Sequence, residues 1–112
     1  MILDCAAKLV GEEGVSAVTM ERLGTEAAIS KALVYNYFPS VTLLLQTLLT
    51  REYRHLRRVQ LEAAESAETL EQMVRRVTKV YLSYISDRGL IIERLSLEPS
   101  VANSGDPNKY GR

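Results

Sequence analysis

The chain has 112 residues, and its 14 Lys and Arg residues are balanced by 14 Asp and Glu residues, so its formal net charge is zero. Hydrophobic residues make up 46% and charged residues 25%, which is typical of soluble globular domains and argues against disorder throughout. The single cysteine, Cys5, excludes an internal disulfide framework, and there is no apolar run of transmembrane length and no basic secretory leader. We therefore expect a small, soluble, cytoplasmic protein with no membrane partner.

The composition also excludes several kinds of chemistry. The chain has one histidine, His55, which rules out zinc sites and other metal sites that need several histidines. A nucleophile–histidine–acid site would have to use this residue, but it lies in a charged stretch at 53–58 that is typical of a solvated helix face. No glycine-rich phosphate loop follows a strand pattern. We predict no catalytic residue, no metal site and no cofactor.

Helical periodicity dominates the chain and predicts an all-α fold. A first apolar stripe ends at Gly14, because glycine tolerates the positive φ that commonly ends a helix. Thr19 is a suitable N-cap for a second, short helix over about 20–27, and Ser30 is the same for a third helix over 31–38. The sequence therefore predicts three short helices in its first third.

Longer helices are predicted next. Ser40 begins a fourth helix that extends to about residue 65, and Thr69 begins a fifth with the spacing of a capping box. The fifth helix carries the most regular apolar stripe of the chain: Leu70, Met73, Val74, Val77, Val80, Tyr81, Tyr84 and Ile85. We expect it to break at 87–89 and a mixed sixth helix to follow over 90–97. From about residue 98, turn-forming residues predict a loop-like or disordered tail.

The connection between the second and third helices is the most informative feature. Only Ala28 and Ile29 precede the cap at Ser30, and so short a turn forces two helices to cross steeply. This is the helix-turn-helix arrangement, in which the second helix of the pair can enter the major groove of DNA.

The third helix has a face suited to that role. Val34 and Phe38 lie one turn apart and predict its buried side, whereas the outward side is small, aromatic, amide and cationic. Asparagine can make two hydrogen bonds to adenine, and lysine and tyrosine can bind phosphate oxygens. The candidate DNA-contacting residues are Lys31, Ala32, Leu33, Tyr35, Asn36 and Tyr37. The alternative is that Tyr35 and Tyr37 are ordinary core aromatics, although their spacing prevents both from sharing the face of Val34.

The segments VTMERLG at 18–24 and AISKALVYNYFPS at 28–40 resemble the DNA-binding region of TetR-type transcriptional repressors, and the resemblance covers residues 1 to about 48. It implies a homodimer when full length, double-stranded DNA as partner, and a second helical domain with a small-molecule pocket and the dimer interface. We accordingly expect a helix-turn-helix domain at 1–48 and an incomplete regulatory and dimerisation domain at 49–112, joined by the long fourth helix and belonging to a longer chain.

The resemblance also assigns roles to single residues. Thr19, Tyr35 and Tyr37 fall on phosphate-contacting positions, and Asn36 falls on a variable contact position. Lys31, Ala32 and Leu33 would face the bases or the nearby backbone. Three residues depart from the family pattern: Ala28 replaces a turn glycine, Gly24 replaces a packed alanine, and Val41 replaces a phosphate-binding lysine.

The second half of the chain carries no chemical motif. Its aromatic and apolar residues could line an effector pocket or could be plain interhelical core, and the candidates are Tyr53, Met73, Val77, Tyr81 and Tyr84. The arginines of the fourth helix could form a second anion-binding surface or a solvated face: Arg51, Arg54, Arg57 and Arg58. The expected function is a ligand-responsive repressor that binds a palindromic operator. The alternative is a helical interaction module that docks a partner through the Leu70–Ile85 stripe.

Overall fold

The computed structural model describes residues 1–105, and within that range the fold is entirely helical, with no strand. Its helices are α1 (Ile2–Glu13), α2 (Met20–Ala27), α3 (Lys31–Tyr37), α4 (Val41–Glu65), α5 (Leu70–Ser96) and α6 (Pro99–Gly105), with a short 3-10 turn at Val15–Ala17. The predicted all-α class is confirmed, and so is the order of three short helices followed by a long one.

Side-chain caps fix the starts of these helices where the sequence places them. The hydroxyl oxygens of Thr19, Ser30 and Ser40 each accept a hydrogen bond from the backbone N–H three residues later, at 3.0–3.1 Å. Each cap residue has extended backbone angles, which is the geometry that aims its oxygen at an otherwise unpaired N–H group. Gly14 ends α1 with a φ of 102°.

Two predictions for the last third of the chain are wrong. The fifth helix does not break at 87–89, because α5 continues to Ser96 and buries Ile91 and Leu95 in the core, which outweighs the ~1 kcal/mol helix cost of one glycine. The loop expected from residue 98 is helical at Pro99–Gly105, where proline takes the first helical position and Val101 is buried. The rest of the predicted tail, 106–112, lies outside the described residues.

One hydrophobic core joins the first three helices to the N-terminal half of α4, the C-terminal end of α5, and α6. Its fully buried large side chains are Val10, Leu23, Val34, Leu44, Leu48, Leu49, Leu95 and Val101. The Arg94 guanidinium on α5 donates hydrogen bonds to the carbonyl oxygens of Val10 (2.6 Å) and Gly11 (3.1 Å) in the last turns of α1. The C-terminal end of α5 is therefore tied directly to the N-terminal helices.

Among residues 1–105, no single helix is long and apolar enough to cross a membrane, although α3 and α4 together, bent by 59°, meet that test of length and composition.

Candidate nucleic-acid interface

The turn between α2 and α3 depends on two residues with unusual backbone environments. Ala28 has left-handed backbone angles, φ 58° and ψ 42°, which reverse the chain at the end of α2. The N–H of Ile29 then donates to the carbonyl oxygen of Gly24 at 2.9 Å. A Cβ atom added to Gly24 would lie 2.9 Å from the carbonyl oxygen of Ile29, so glycine permits this close approach of the two backbones. The turn thus packs α3 directly against α2.

Helix α3 is seated by one face and presents the other to solvent. Val34 is fully buried, and Ile29 and Phe38 pack against the same core from the two ends of the helix. All the residues predicted for the outward face are exposed: Lys31, Ala32, Leu33, Tyr35, Asn36 and Tyr37. Tyr35 is 47% exposed and Tyr37 is 64% exposed. The alternative interpretation required them to be core aromatics, and neither residue is one.

The charge of this face comes from one lysine. Helix α3 contains no acidic residue, and Lys31 has no ion-pair partner within residues 1–105. The nearby Arg22 is instead paired with Glu13 at 2.6 Å and with Glu26 at 3.5 Å. The hydrogen bond from Arg22 lowers the pKa of the Glu13 carboxyl.

Thr19, predicted from the resemblance to touch phosphate, is exposed at the start of α2. Its hydroxyl oxygen already accepts the backbone N–H of Arg22. Because a hydroxyl group both donates and accepts, its proton remains available to a phosphate oxygen.

The structure does not bring the five predicted pocket residues together. The hydroxyl oxygen of Tyr53 lies 3.4 Å from that of Ser96, whereas Met73 precedes Ser96 on α5 by 23 residues, or ~35 Å of helix. Val77 is half-buried, and Tyr81 is exposed. The fifth residue, Tyr84, is buried and belongs to a different cluster.

That cluster is centred on Glu52 and was missed in the sequence. Glu52 is only 2% exposed, and its carboxylate accepts hydrogen bonds from the guanidinium of Arg88 and from the hydroxyl of Tyr84 (3.0 Å). Burial opposes its ionisation, but the hydrogen bonds from Arg88 and Tyr84 and the charges of Arg88 and Arg51 outweigh burial, so its pKa is lowered. Burial and the neighbouring carboxylate together raise the pKa of Tyr84. The sequence signal that could have indicated this burial is the position of Glu52, one helical turn after Leu48, which is itself buried.

Next to this cluster, a cleft of about 630 Å³ lies between the start of α1, the middle of α4 and α5. Its lining is rich in arginine and comprises Leu3, Asp4, Thr47, Thr50, Arg51, Glu52, Arg54, His55, Arg58 and Arg88. A neighbouring cleft of about 260 Å³ shares His55 and Arg88 with this one and is also lined by Tyr84. Across residues 1–105, no group of three or more His, Cys, Asp or Glu side chains is placed to hold a metal ion.

Comparison with known families gives a match to the N-terminal helices. Residues 2–47 match the family model of bacterial regulatory proteins, tetR family. We refer to residues 2–47 as the tetR-family segment. The match spans α1, α2, α3 and the first turns of α4, so the tetR-family segment contains the exposed face of α3 and the caps at Thr19, Ser30 and Ser40. No curated protein matches the chain.

Solved structures share the fold beyond the tetR-family segment. A protein described as a tetR family transcription regulator from Shewanella sp. PV-4 has a TM-score of 0.77 and 20% identity, over 98% of this chain and 61% of that one. The ketosteroid transcriptional regulator KstR2 of Mycobacterium tuberculosis has a TM-score of 0.72 and 20% identity, over 98% and 60%. The chain therefore spans about three fifths of the length of these two proteins.

Proposed function

We propose that this chain is the DNA-binding part of a transcriptional regulator, with α3 as the helix that enters the major groove. The observation that carries the proposal is the exposed, acid-free outward face of α3, held in place by the buried Val34 within a tetR-family segment. A solvated helix face of no function would be expected to carry Glu and Lys rather than two exposed tyrosines, whose rings place apolar surface in contact with water.

The residues of this face divide by the contact that each can make. Lys31, Tyr35 and Tyr37, together with Thr19 at the start of α2, supply donors for phosphate oxygens, which fix the register of a protein on DNA without reading sequence. Ala32 permits close approach to base edges and Leu33 can contact a thymine methyl group. Asn36 can pair with adenine through two hydrogen bonds.

One such face cannot supply much electrostatic affinity. Residues 1–58 contain seven Lys or Arg and six Asp or Glu, and only Lys31 is on α3. Each phosphate neutralised contributes through release of counterions, so few contacts per chain predict weak binding by a monomer. We propose that two chains bind together as a homodimer to a palindromic operator, with half-sites ~34 Å apart or slightly more.

The proposal extends to regulation. Residues 1–48 would be the reading head and 49–112 part of the regulatory and dimerisation domain, with α4 as the link between them. The tilt of α4 would set the separation of the two heads. A small-molecule effector that favours a different separation would then weaken DNA binding by its difference in affinity for the two states, which is how a ligand-responsive repressor releases its operator.

The test uses the full-length protein and fluorescence anisotropy with a labelled duplex selected by the protein itself. Lys31→Ala should weaken binding to all duplexes. Because one phosphate contact is lost, the magnitude of the slope of log affinity against log salt should fall by about one. The matched control is Lys79→Ala, which removes the same charge from an exposed position on α5. Tyr35→Phe, which removes only the hydroxyl, should also weaken binding. Equal affinities for wild type, Lys31→Ala and Tyr35→Phe would contradict the proposed face.

A second candidate function is supported by one observation on α5. Half of its apolar stripe faces solvent, including Leu70 (71% exposed), Val74, Tyr81 and Ile85. A helical interaction module would dock a partner helix there through apolar contacts. The two functions differ in their response to salt, because DNA binding loses affinity steeply as salt rises and apolar docking does not.

A further inference from the structure

The middle of α4 presents a basic stripe that reading DNA with α3 does not use. Arg51, Arg54, His55 and Arg58 follow one another at steps of three, one and three residues, so they share one face of the helix. All four line the 630 Å³ cleft, and Arg88 of α5 lines it from the opposite side.

The carboxylates of the cleft leave part of this charge uncompensated. Arg51 donates a hydrogen bond to Asp4 at 2.7 Å and also lies 3.5 Å from the Glu52 carboxylate, which is held mainly by Arg88. Arg54 has no ion-pair partner within residues 1–105, and Arg58 has only Glu62 at 3.8 Å. Four arginines against two carboxylates give the lining residues a net charge of +2, although Glu62, outside the lining, partly balances Arg58.

The hydrogen bond between Arg58 and His55 adds a donor to the same wall. The Arg58 guanidinium lies 2.8 Å from Nδ1 of His55, and a guanidinium can only donate. Nδ1 is therefore the acceptor, and the ring carries its proton on Nε2. The unused groups of the stripe are donors, the chemistry that binds phosphate and carboxylate oxygens.

We propose that this cleft binds a small anion carrying two negative charges, a phosphate group or a dicarboxylate, between Arg54, Arg58 and Arg51. Two arginines one helical turn apart can each form a paired contact with oxygens of one such ligand. The cleft is large enough for a small metabolite, and Leu3 and Asp4 at the start of α1 form part of its wall.

Binding of the anion would act on the reading head through Asp4. Asp4 is in the first turn of α1 and is 73% exposed, and its bond to Arg51 ties that turn to α4. An anion on Arg51 competes with Asp4 and releases this tie. This step rests on the proposed function, because it matters only if α1 belongs to a DNA-reading head whose packing on α4 is regulated.

The binding test uses the full chain without DNA, by isothermal titration calorimetry with inorganic phosphate and with succinate, at an ionic strength held constant with chloride. Arg54→Gln should lower affinity about tenfold, the loss expected for a paired charge-assisted contact. Arg57→Gln is the matched control, because it removes the same charge from an exposed position of α4 outside the cleft, and it should leave affinity unchanged. Asp4→Asn should tighten binding severalfold by removing the competitor.

Three results would overturn the anion site. They are binding no tighter than that of chloride, equal losses in Arg54→Gln and Arg57→Gln, and a loss of DNA affinity in anion-free Arg54→Gln as large as in Lys31→Ala, which would assign the stripe to DNA phosphates. Stronger binding of phosphate than of succinate, or the reverse, identifies the ligand class within the proposal. A protein that binds the anion but no DNA would contradict the proposed function and support the site.

Discussion

Exchanging the residues at positions 24 and 28 would test the turn that joins α2 to α3. Ala28 occupies left-handed backbone space, which costs an L-residue ~1–2 kcal/mol, whereas glycine is free of that cost but loses ~0.4–1 kcal/mol through its greater freedom in the unfolded chain. We therefore expect Ala28→Gly to stabilise the fold by about 0.5–1 kcal/mol. The corresponding rise in melting temperature is roughly 4 °C for a domain of this size.

Gly24→Ala should have the opposite effect. Alanine gains ~1 kcal/mol of helix propensity, but its Cβ would lie 2.9 Å from the carbonyl oxygen of Ile29, and overpacking against atoms that cannot retreat costs ~1–3 kcal/mol. That oxygen is held because the N–H of Ile29 is bonded to Gly24 itself. The expected net result is a loss of about 1 kcal/mol.

The double variant, which carries the alanine and glycine of the family pattern at these positions, measures whether the two costs are linked. A glycine at 28 lets the turn move away from α2, so the alanine at 24 should cost less in its presence. We expect a coupling of at least ~0.5 kcal/mol, measured by urea denaturation of all four proteins. A stabilised Gly24→Ala, an unchanged Ala28→Gly, or strict additivity would refute this description of the turn.

Three further substitutions test other parts of the fold by denaturation. Because the pKa of Glu52 is lowered in the fold, its contribution to stability is present above the ordinary pKa of 4.5 and is lost as the pH falls through the folded value. Glu52→Gln should therefore reduce the pH dependence of the free energy of unfolding below pH 4.5. An unchanged dependence in that range would contradict the ion cluster. Val34→Ala should cost ~2–3 kcal/mol by leaving a cavity under α3, whereas a loss under 0.5 kcal/mol would mean that α3 is not seated there. Gly89→Ala should stabilise by ~0.5 kcal/mol because α5 is continuous and only the side chain of Ile85 must move; destabilisation would indicate the break that the sequence suggested.

The first half of the fold could be predicted because local rules and packing agree there. Ser, Thr and Gly stand where caps and a helix end are needed, and the burial of Val34 follows from helical spacing alone. The exposure of both tyrosines of α3 follows less directly, since spacing showed only that one of them had to leave the buried face.

The second half was harder because tertiary contacts override local preference. Gly89 has a low helix propensity, yet Ile91 and Leu95 beyond it are buried in the hydrophobic core that includes α1. Their burial keeps α5 continuous. The helical spacing of Tyr53 and Met73 shows which face each occupies, but not that Tyr53 contacts Ser96 on α5, 23 residues along that helix from Met73. The burial of a charge at Glu52 depends on Arg88, 36 residues away, which no local pattern links to it.

Selection of bound sequences from a random pool of duplex DNA by the full-length protein tests the central claim most directly. If α3 reads the major groove in each of two symmetric chains, the selected DNA should contain an inverted repeat with half-site centres about one helical turn apart or slightly more, and Lys31→Ala should bind it less tightly. Recovery of no enriched sequence, or of an inverted repeat that Lys31→Ala and Tyr35→Phe bind as tightly as wild type, would contradict the assignment of α3 as the reading helix.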